Sequence, residues 1–341
     1  MDQVAALPAA DRQALFQEVA IRRGLSSLII EKDFWVCWTL RRVFELQPLG
    51  ENLIFKGGTS LSKVFSLIER FSEDIDLSIR RDYLGAVGDK DPEQEGISST
   101  QKDKRVAALR ENCRTVVHEE MLPALREALA AHLEGSAWQL LPDLTERGTL
   151  LFSYPSSVQV NAAVPAYIRP QVKLEMGAGS DPYPIGRYPV RPYAAETFPD
   201  LFRESEVVVT ALEAERTFWE KATLLHAECH RPAEKAAPPR LSRHYYDLMR
   251  LAIQPVGSRA LENYALRERV VRHKTTYFAS NWASYGTAHP GTFRLVPGPE
   301  RLNSLRQDYS QMRDMIFAAP PTFEEIMSVI ADVEARVNAG R

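Results

Sequence analysis

The chain has 341 residues, 45% of them apolar and 26% charged, with 42 Lys and Arg against 45 Asp and Glu and a formal net charge of −3. These are the values of a soluble folded protein of one large or two ordinary domains, and they exclude a disordered, collagen-like or coiled-coil chain. The near-neutral balance argues against polyanion binding over the whole surface and leaves room for a local basic patch.

No stretch approaches the roughly 18 consecutive apolar residues of a membrane span. The segment from Met1-Asp2-Gln3 lacks the apolar core of a secretory signal. Cys37, Cys113 and Cys229 are odd in number and show no CxxC spacing, which predicts neither a disulfide framework nor a zinc site and points to a reducing, cytoplasmic compartment.

In chain order, residues 9–23 and 29–47 carry helical periodicity. The second has Ile29, Ile30, Trp35, Trp38, Leu40 and Phe44 on a broad apolar face with Arg41 and Arg42 opposite. The run Asn52-Leu53-Ile54-Phe55 ends at Gly57-Gly58 and predicts a buried strand leading into a turn. Leu61, Val64, Phe65 and Ile68 predict a helix over 59–69, and Asp74-Ile75-Asp76-Leu77-Ser78-Ile79 alternates as a strand with one polar face. Residues 82–104 read as an exposed loop. A long helix over 104–133 follows, kinked or split at Pro123.

Strand-like runs come at 149–152, Val158-Gln159-Val160 and 171–176. Prolines 182, 184, 189, 192 and 199 mark a loop-rich connector, read as the domain boundary: residues 1–200 hold the N-terminal helices and a sheet, and 201–341 are mostly helical. Thr210-Ala211-Leu212-Glu213 has capping-box spacing and predicts a helix to about His230, followed by helices over 240–252 and 322–338. No internal repeat is visible.

Two segments carry chemistry. In Phe55-Lys56-Gly57-Gly58-Thr59-Ser60-Leu61-Ser62-Lys63, a strand, a Gly-Gly turn and a helix bring backbone N–H groups and a helix N-terminus to one point, an anion site to which Thr59, Ser60 and Lys63 can add donors. It is not a Walker A loop, because the GxxxxGK[ST] spacing is absent. In Arg70-Phe71-Ser72-Glu73-Asp74-Ile75-Asp76-Leu77, Asp74 and Asp76 leave one strand face roughly 7 Å apart. Two such acids repel unless a cation lies between them, and Mg²⁺ is the natural one. A later strand adds Glu175. If it pairs beside Asp74 and Asp76, three carboxylates can hold two metals ~3.5–4 Å apart for phosphoryl or nucleotidyl transfer. Lys173 shares the strand face of Glu175 and enters the same cleft.

Farther on, Lys221 reads either as a snorkelling surface lysine or as a clamp on the leaving pyrophosphate. Arg243 and Asp247 read either as an i,i+4 ion pair or as a nucleotide contact and an acid that positions Lys221 or the attacking hydroxyl. The seven histidines show no ligand spacing. Arg240, Arg243, Arg250, Arg267, Arg269, Arg272, His273 and Lys274, interleaved with Tyr245, Tyr246 and Tyr277, form the best local surface for a polynucleotide.

Gly57-Gly58-Thr59-Ser60 followed by Arg70-Phe71-Ser72-Glu73-Asp74-Ile75-Asp76-Leu77 resembles the signature of the polymerase-β-like, or minimal, nucleotidyltransferase superfamily, and more closely that of the AbiEii/AbiGii-type nucleotidyltransferase toxins. The resemblance extends through 31–36, 216–221, 243–248, His273-Lys274, Asp308-Tyr309 and Met312. It covers nearly the whole chain apart from the 82–104 loop and the Pro-rich connector. It implies an α+β fold, a polymerase-β-like core with a mixed sheet and a mostly helical C-terminal lobe.

By motif match, Gly57, Gly58, Thr59 and Ser60 would face the triphosphate, Asp74 and Asp76 would bind Mg²⁺, and Lys221 and Asp247 would stand in the cleft. The spacer from the Gly-Gly turn to Asp74 is longer than the family's usual short form, which fits an extended helix after the turn. The implied activity moves a nucleoside monophosphate from an NTP to an acceptor hydroxyl, with RNA and the tRNA 3′ end leading, as the toxin of a toxin–antitoxin or phage-defence system with a separately encoded antitoxin. The alternatives are a nucleotidyltransferase acting on a protein or small molecule, and a nucleotide-binding interaction protein without turnover.

Overall fold

Among the described residues, short apolar runs between Gly, Pro and polar segments form seven strands of one sheet: β1 (Leu53–Lys56), β2 (Asp74–Ile79), β3 (Gln139–Pro142), β4 (Thr149–Ser153), β5 (Gln171–Gly177), β6 (Ile185–Val190) and β7 (Val207–Leu212), in spatial order β3-β4-β5-β2-β1-β7-β6. The sheet is mixed. β2 pairs parallel with β5 and β1 parallel with β7, while β1–β2, β3–β4 and β4–β5 are antiparallel. The computed structural model describes residues 1–133, 135, 137–158, 169–179, 181–317 and 319–340. The expected strand over 158–160 runs into residues outside that set.

The chain forms two units. One comprises residues 1–64 and 72–211, the other residues 65–71 and 212–341. In the first, the helices are α1 (Asp2–Ala5), α2 (Ala9–Arg23), α3 (Ser27–Glu45), α4 (Gly57–Lys63), α5 (Ser99–Thr115), α6 (Leu122–Ala130) and α7 (Tyr193–Thr197). Ser26 caps α3, accepting from the Ile29 N–H at 3.3 Å. The helix is buried nearly all round, Arg42 included, and not on one face alone. Its Trp35 and Trp38 pack on Phe152 and Tyr154 of the sheet side, Trp35 stacking on Tyr154 at 5.4 Å. Strand alternation aims Ile75, Leu77, Ile79, Val172 and Leu174 into this core, all essentially without exposure.

Three local expectations change. The helix expected over 104–133 starts at Ser99, where Ser98 and Gln101 form a capping box, so 99–104 is helix and not loop. Before Pro123, which cannot donate to the preceding turn, the helix widens to a π-type turn over Val116–Met121 and continues unbroken as α6. The Pro-rich segment holds β6 and α7. Pro189 is tolerated because β6 is an edge strand.

In the second unit the helices are α8 (Ala214–Cys229), α9 (Ser242–Ala252), α10 (Pro255–Glu262), α11 (Tyr264–Tyr277), α12 (Pro299–Met312) and α13 (Phe323–Asn338). They enclose Phe218, Trp219, Leu248, Leu251, Phe293, Ile330 and Val333. Thr210 lies in β7, and Glu213 occupies the N-cap of α8 without a side-chain capping bond to the helix. Thr322 and Glu325 do form a capping box, at α13. The helix expected over 59–69 stops at Lys63. Ser66 adopts a left-handed φ of 53°, and the segment 65–71 runs on as an extended strap: the Phe71 N–H donates to the Met315 carbonyl at 2.7 Å and the Phe317 N–H to the Glu69 carbonyl at 2.8 Å. The longer spacer before Asp74 is therefore this strap and not an extended helix.

Candidate active site

Register builds one acidic face. Asp76 stands opposite Lys56 of β1 and opposite Glu175 of β5, and Asp74 stands opposite Lys173. Paired residues share a sheet face, so Lys56, Asp74, Asp76, Lys173 and Glu175 project together, away from the apolar core. All five are partly exposed. Burial, and then the charges of Glu73, Glu175 and Asp76, push the Asp74 carboxyl up to about 6. The donors are hard carboxylate oxygens, the chemistry of Mg²⁺-type cations, and a divalent ion would relieve that repulsion. Among the described residues no three acids, histidines or cysteines converge on one point. Glu175 is engaged by Lys173, whose Nζ lies 2.6 Å from Glu175 Oε1 and 2.6 Å from Glu146 Oε2.

The Gly-Gly turn adjoins this face. Gly57 has φ +79°, and a Cβ placed on it would lie 1.9 Å from Asp76 Oδ2. Only glycine lets the backbone and the carboxylate come so close. Gly58 is partly exposed at the start of α4. Thr59 and Ser60 are fully buried. The Thr59 hydroxyl bonds Ser72 Oγ and the Asp74 carbonyl, and the Ser60 hydroxyl donates to the Gly57 carbonyl at 3.0 Å. The Thr59 side chain thus ties the turn to the start of β2, and the Ser60 side chain closes on the turn itself. Lys63, expected beside them, is instead buried on Asp33, with Nζ 2.6 Å from Oδ1 and 3.8 Å from the Tyr193 ring centre. Burial alone would lower its pKa, but the Asp33 carboxylate holds it above the ordinary lysine value.

Residues 31–33 supply the frame. Successive helical residues point about 100° apart, so three in a row on buried α3 reach three different segments. Glu31 accepts from the Ser157 N–H at 2.6 Å and from the hydroxyls of Ser156 and Ser157, each at 2.7 Å. Lys32 pairs with Glu73, next to Asp74, and donates to the Arg169 carbonyl at 3.0 Å. Asp33 takes Lys63 and the Tyr193 N–H at 2.6 Å. A residue-type reading gives such consecutive charges no role. The signals in the sequence were charge inside an otherwise apolar helix and the family resemblance over 31–36, neither of which assigns a partner.

The second unit holds a separate charged cluster. Asp247, without exposure, receives a bidentate Arg70 at 2.7 and 2.8 Å and Lys221 Nζ at 2.8 Å. Burial would raise the Asp247 carboxyl, but the two cations overcome it and hold the carboxyl well below the usual carboxylate range. Asp247 therefore pairs with Lys221, and not with Arg243 four residues before it. Arg243 is partly exposed, and Lys221 also approaches His244 Nδ1 at 3.5 Å. Arg70 is the member that residue spacing did not identify.

The expected basic surface is thinner than its sequence. Tyr245, Tyr246 and Tyr277 are core residues, at most 3% exposed, and offer no rings for stacking. Arg267 and His273 are buried, while Arg240, Arg269 and Arg272 are exposed. His226 is a satisfied core histidine, bonded to Ser284, Thr287 and the Arg294 N–H.

A glycine turn leading into a helix, set against carboxylates on adjacent strands, is the arrangement of a nucleotidyltransferase. A family model described as nucleotidyl transferase AbiEii toxin, type IV toxin–antitoxin system, matches residues 38–329, and the chain belongs to that family. It is thus a nucleotidyltransferase toxin of the type IV kind, for which the family implies an NTP substrate, a divalent metal and an antitoxin partner. The structure is similar to that of MenT4, a nucleotidyltransferase toxin from Mycobacterium tuberculosis H37Rv, at 15% identity and a TM-score of 0.39 over 96% of this chain and 99% of that chain. No curated protein matches the sequence. Among the described residues no helix is long and apolar enough to cross a membrane.

Proposed function

We propose that the protein transfers a nucleoside monophosphate from an NTP to an acceptor hydroxyl, releasing pyrophosphate, in the cytoplasm. Asp74, Asp76 and Glu175 would hold two Mg²⁺ ions, which supply Lewis-acid stabilisation of the charge that develops on the transferred phosphate. The observation that carries the reading is the approach of Asp76 to Gly57, which sets a carboxylate against the turn whose N–H groups can receive the triphosphate. Gly57 and Gly58 bind phosphate through their backbone, and Thr59 and Ser60 hold that backbone in place. One of the carboxylates draws the proton from the acceptor. On the strength of the motif match, Lys221, kept in place by Asp247, and Arg243 are the phosphate-binding candidates of the second unit.

The acceptor we propose is RNA, at the 3′ end of tRNA, with growth arrest and phage defence as the outcome and a separately encoded antitoxin as the control. The support is family membership together with the exposed Arg240, Arg269 and Arg272. The burial of the three tyrosines favours keeping a protein or small-molecule hydroxyl as the second reading. The test is incubation with each labelled NTP and total cell extract. Label should enter a small RNA with wild-type protein and not with Asp76→Asn. Label in a protein or small molecule would replace the acceptor. A folded Asp76→Asn variant that transfers at near wild-type rate would refute the two-metal reading.

A further inference from the structure

Lys173 pairs with Glu175 of the acidic face, and its second partner, Glu146, lies outside the motif. Glu146 sits in the tight β3–β4 connection, which is fixed by Asp143: its Oδ1 accepts from the Thr145 N–H at 2.7 Å, the Thr145 hydroxyl at 2.7 Å and the Glu146 N–H at 3.2 Å. The Asp143 N–H donates to the Thr149 carbonyl at 2.9 Å, and the Thr149 N–H to the Glu146 carbonyl at 3.0 Å, closing the turn. Thr149 is itself the register partner of Glu175. The loop thus presents Glu146 to Lys173 from a fixed backbone, and the ammonium lies equidistant, at 2.6 Å, from Glu146 and Glu175.

We infer that Lys173 is an internal counter-ion that occupies Glu175 in the absence of a divalent cation, and that Glu146 is the positioning residue that keeps Lys173 when the cation takes Glu175. The inference rests on the two-metal reading of Asp74, Asp76 and Glu175. Its physical basis is competition. An ammonium and a divalent ion on the same carboxylate repel each other, and moving the lysine aside costs little only if it has a second carboxylate at hand. Lys173 is about a quarter exposed and Glu146 about half, so both pairs exchange readily with solvent.

The experiment is a double-mutant cycle on binding of Mn²⁺ alone, read by the electron paramagnetic resonance signal of the free ion, with no NTP and no turnover. Lys173→Met should bind Mn²⁺ about two- to fivefold more tightly than wild type, the effect of removing an exposed ion pair that the metal must displace. Glu146→Gln should weaken binding about threefold in the wild-type background and leave it unchanged in the Lys173→Met background, because Glu146 acts through the lysine. Far-UV circular dichroism checks folding, and Lys173→Gln replaces Lys173→Met if the latter does not fold.

Lys173→Met binding no tighter than wild type would overturn the inference. So would an equal loss from Glu146→Gln in both backgrounds, which would reduce Glu146 to a distant negative charge. Asp76→Asn separates the two failures: if it binds Mn²⁺ as well as wild type does, the two-metal reading itself fails, and the counter-ion falls with it.

Discussion

Asp74 should be a residue that the fold carries at a cost. Its carboxyl is pushed from 3.8 to about 6 by burial and by its acidic neighbours. A raised acid favours the folded state while protonated, so its contribution is fully present below the unfolded pKa near 4 and is lost as pH rises through 6. A shift of about two units corresponds to ~3 kcal/mol, and partial solvent access reduces that to about 2 kcal/mol. Asp74→Asn keeps the shape and removes the charge. In EDTA at pH 8 the variant should unfold in urea with a stability about 2 kcal/mol above wild type, and the two should converge only as pH falls below the unfolded value, to about 3. Saturating Mg²⁺ should restore wild type at pH 8 and leave the variant little changed, because a ligand stabilises only the state that binds it. Trp35, Trp38 and Trp138 report on the unit that contains Asp74. Equal stability at pH 8 in EDTA, or a gain that is the same at both pH values, would refute the electrostatic account of the acidic face.

Two further outcomes follow from particular contacts. Gly57→Ala should abolish transfer, at least ~10²-fold, because its Cβ would displace the Asp76 carboxylate, whereas Gly24→Ala, with a similar positive φ but nothing within 4 Å, should cost only about 1 kcal/mol of stability and keep activity; equal activity in both variants would show that the approach to Asp76 is immaterial. Asp247→Asn should lower stability by ~3–5 kcal/mol by leaving Arg70 and Lys221 buried without their carboxylate, and wild type should lose that same contribution as pH falls below 4; thermal unfolding measures it, and a loss under 1 kcal/mol would contradict the burial of the cluster.

The sheet core and the acidic face were legible because they follow period-two rules. The alternation at 74–79 and 171–176 sets both which residues face the core and which acids share the other side. What periodicity could not show came from pairing over long sequence separations. Ile68 fits a helix after Leu61 and Val64, yet Ser66 turns left-handed and the segment pairs with 315–317. Thr210 and Glu213 have the spacing of a cap, but Thr210 is claimed by β7. Tyr245 and Tyr246 lie among basic residues and read as a surface, while the α9 helix turns both rings inward. Lys63 reads as a phosphate donor until Asp33, thirty positions earlier, is found beside it.

The strap over 65–71 also bears on how the chain can be made. Arg70 precedes its carboxylate partner by 177 positions, and at ~5–20 residues per second the ribosome needs about 10–35 s to cover that interval. Through that time the strap has been synthesised, but Asp247 and the 315–317 backbone that receive it have not. The unit that contains Lys221 can therefore close only after synthesis has passed residue 317. A nascent or prematurely ended chain has the glycine turn and the aspartates of the first unit but leaves Arg70 without its salt bridge. For a nucleotidyltransferase toxin, this ties completion of the second unit to near completion of the polypeptide.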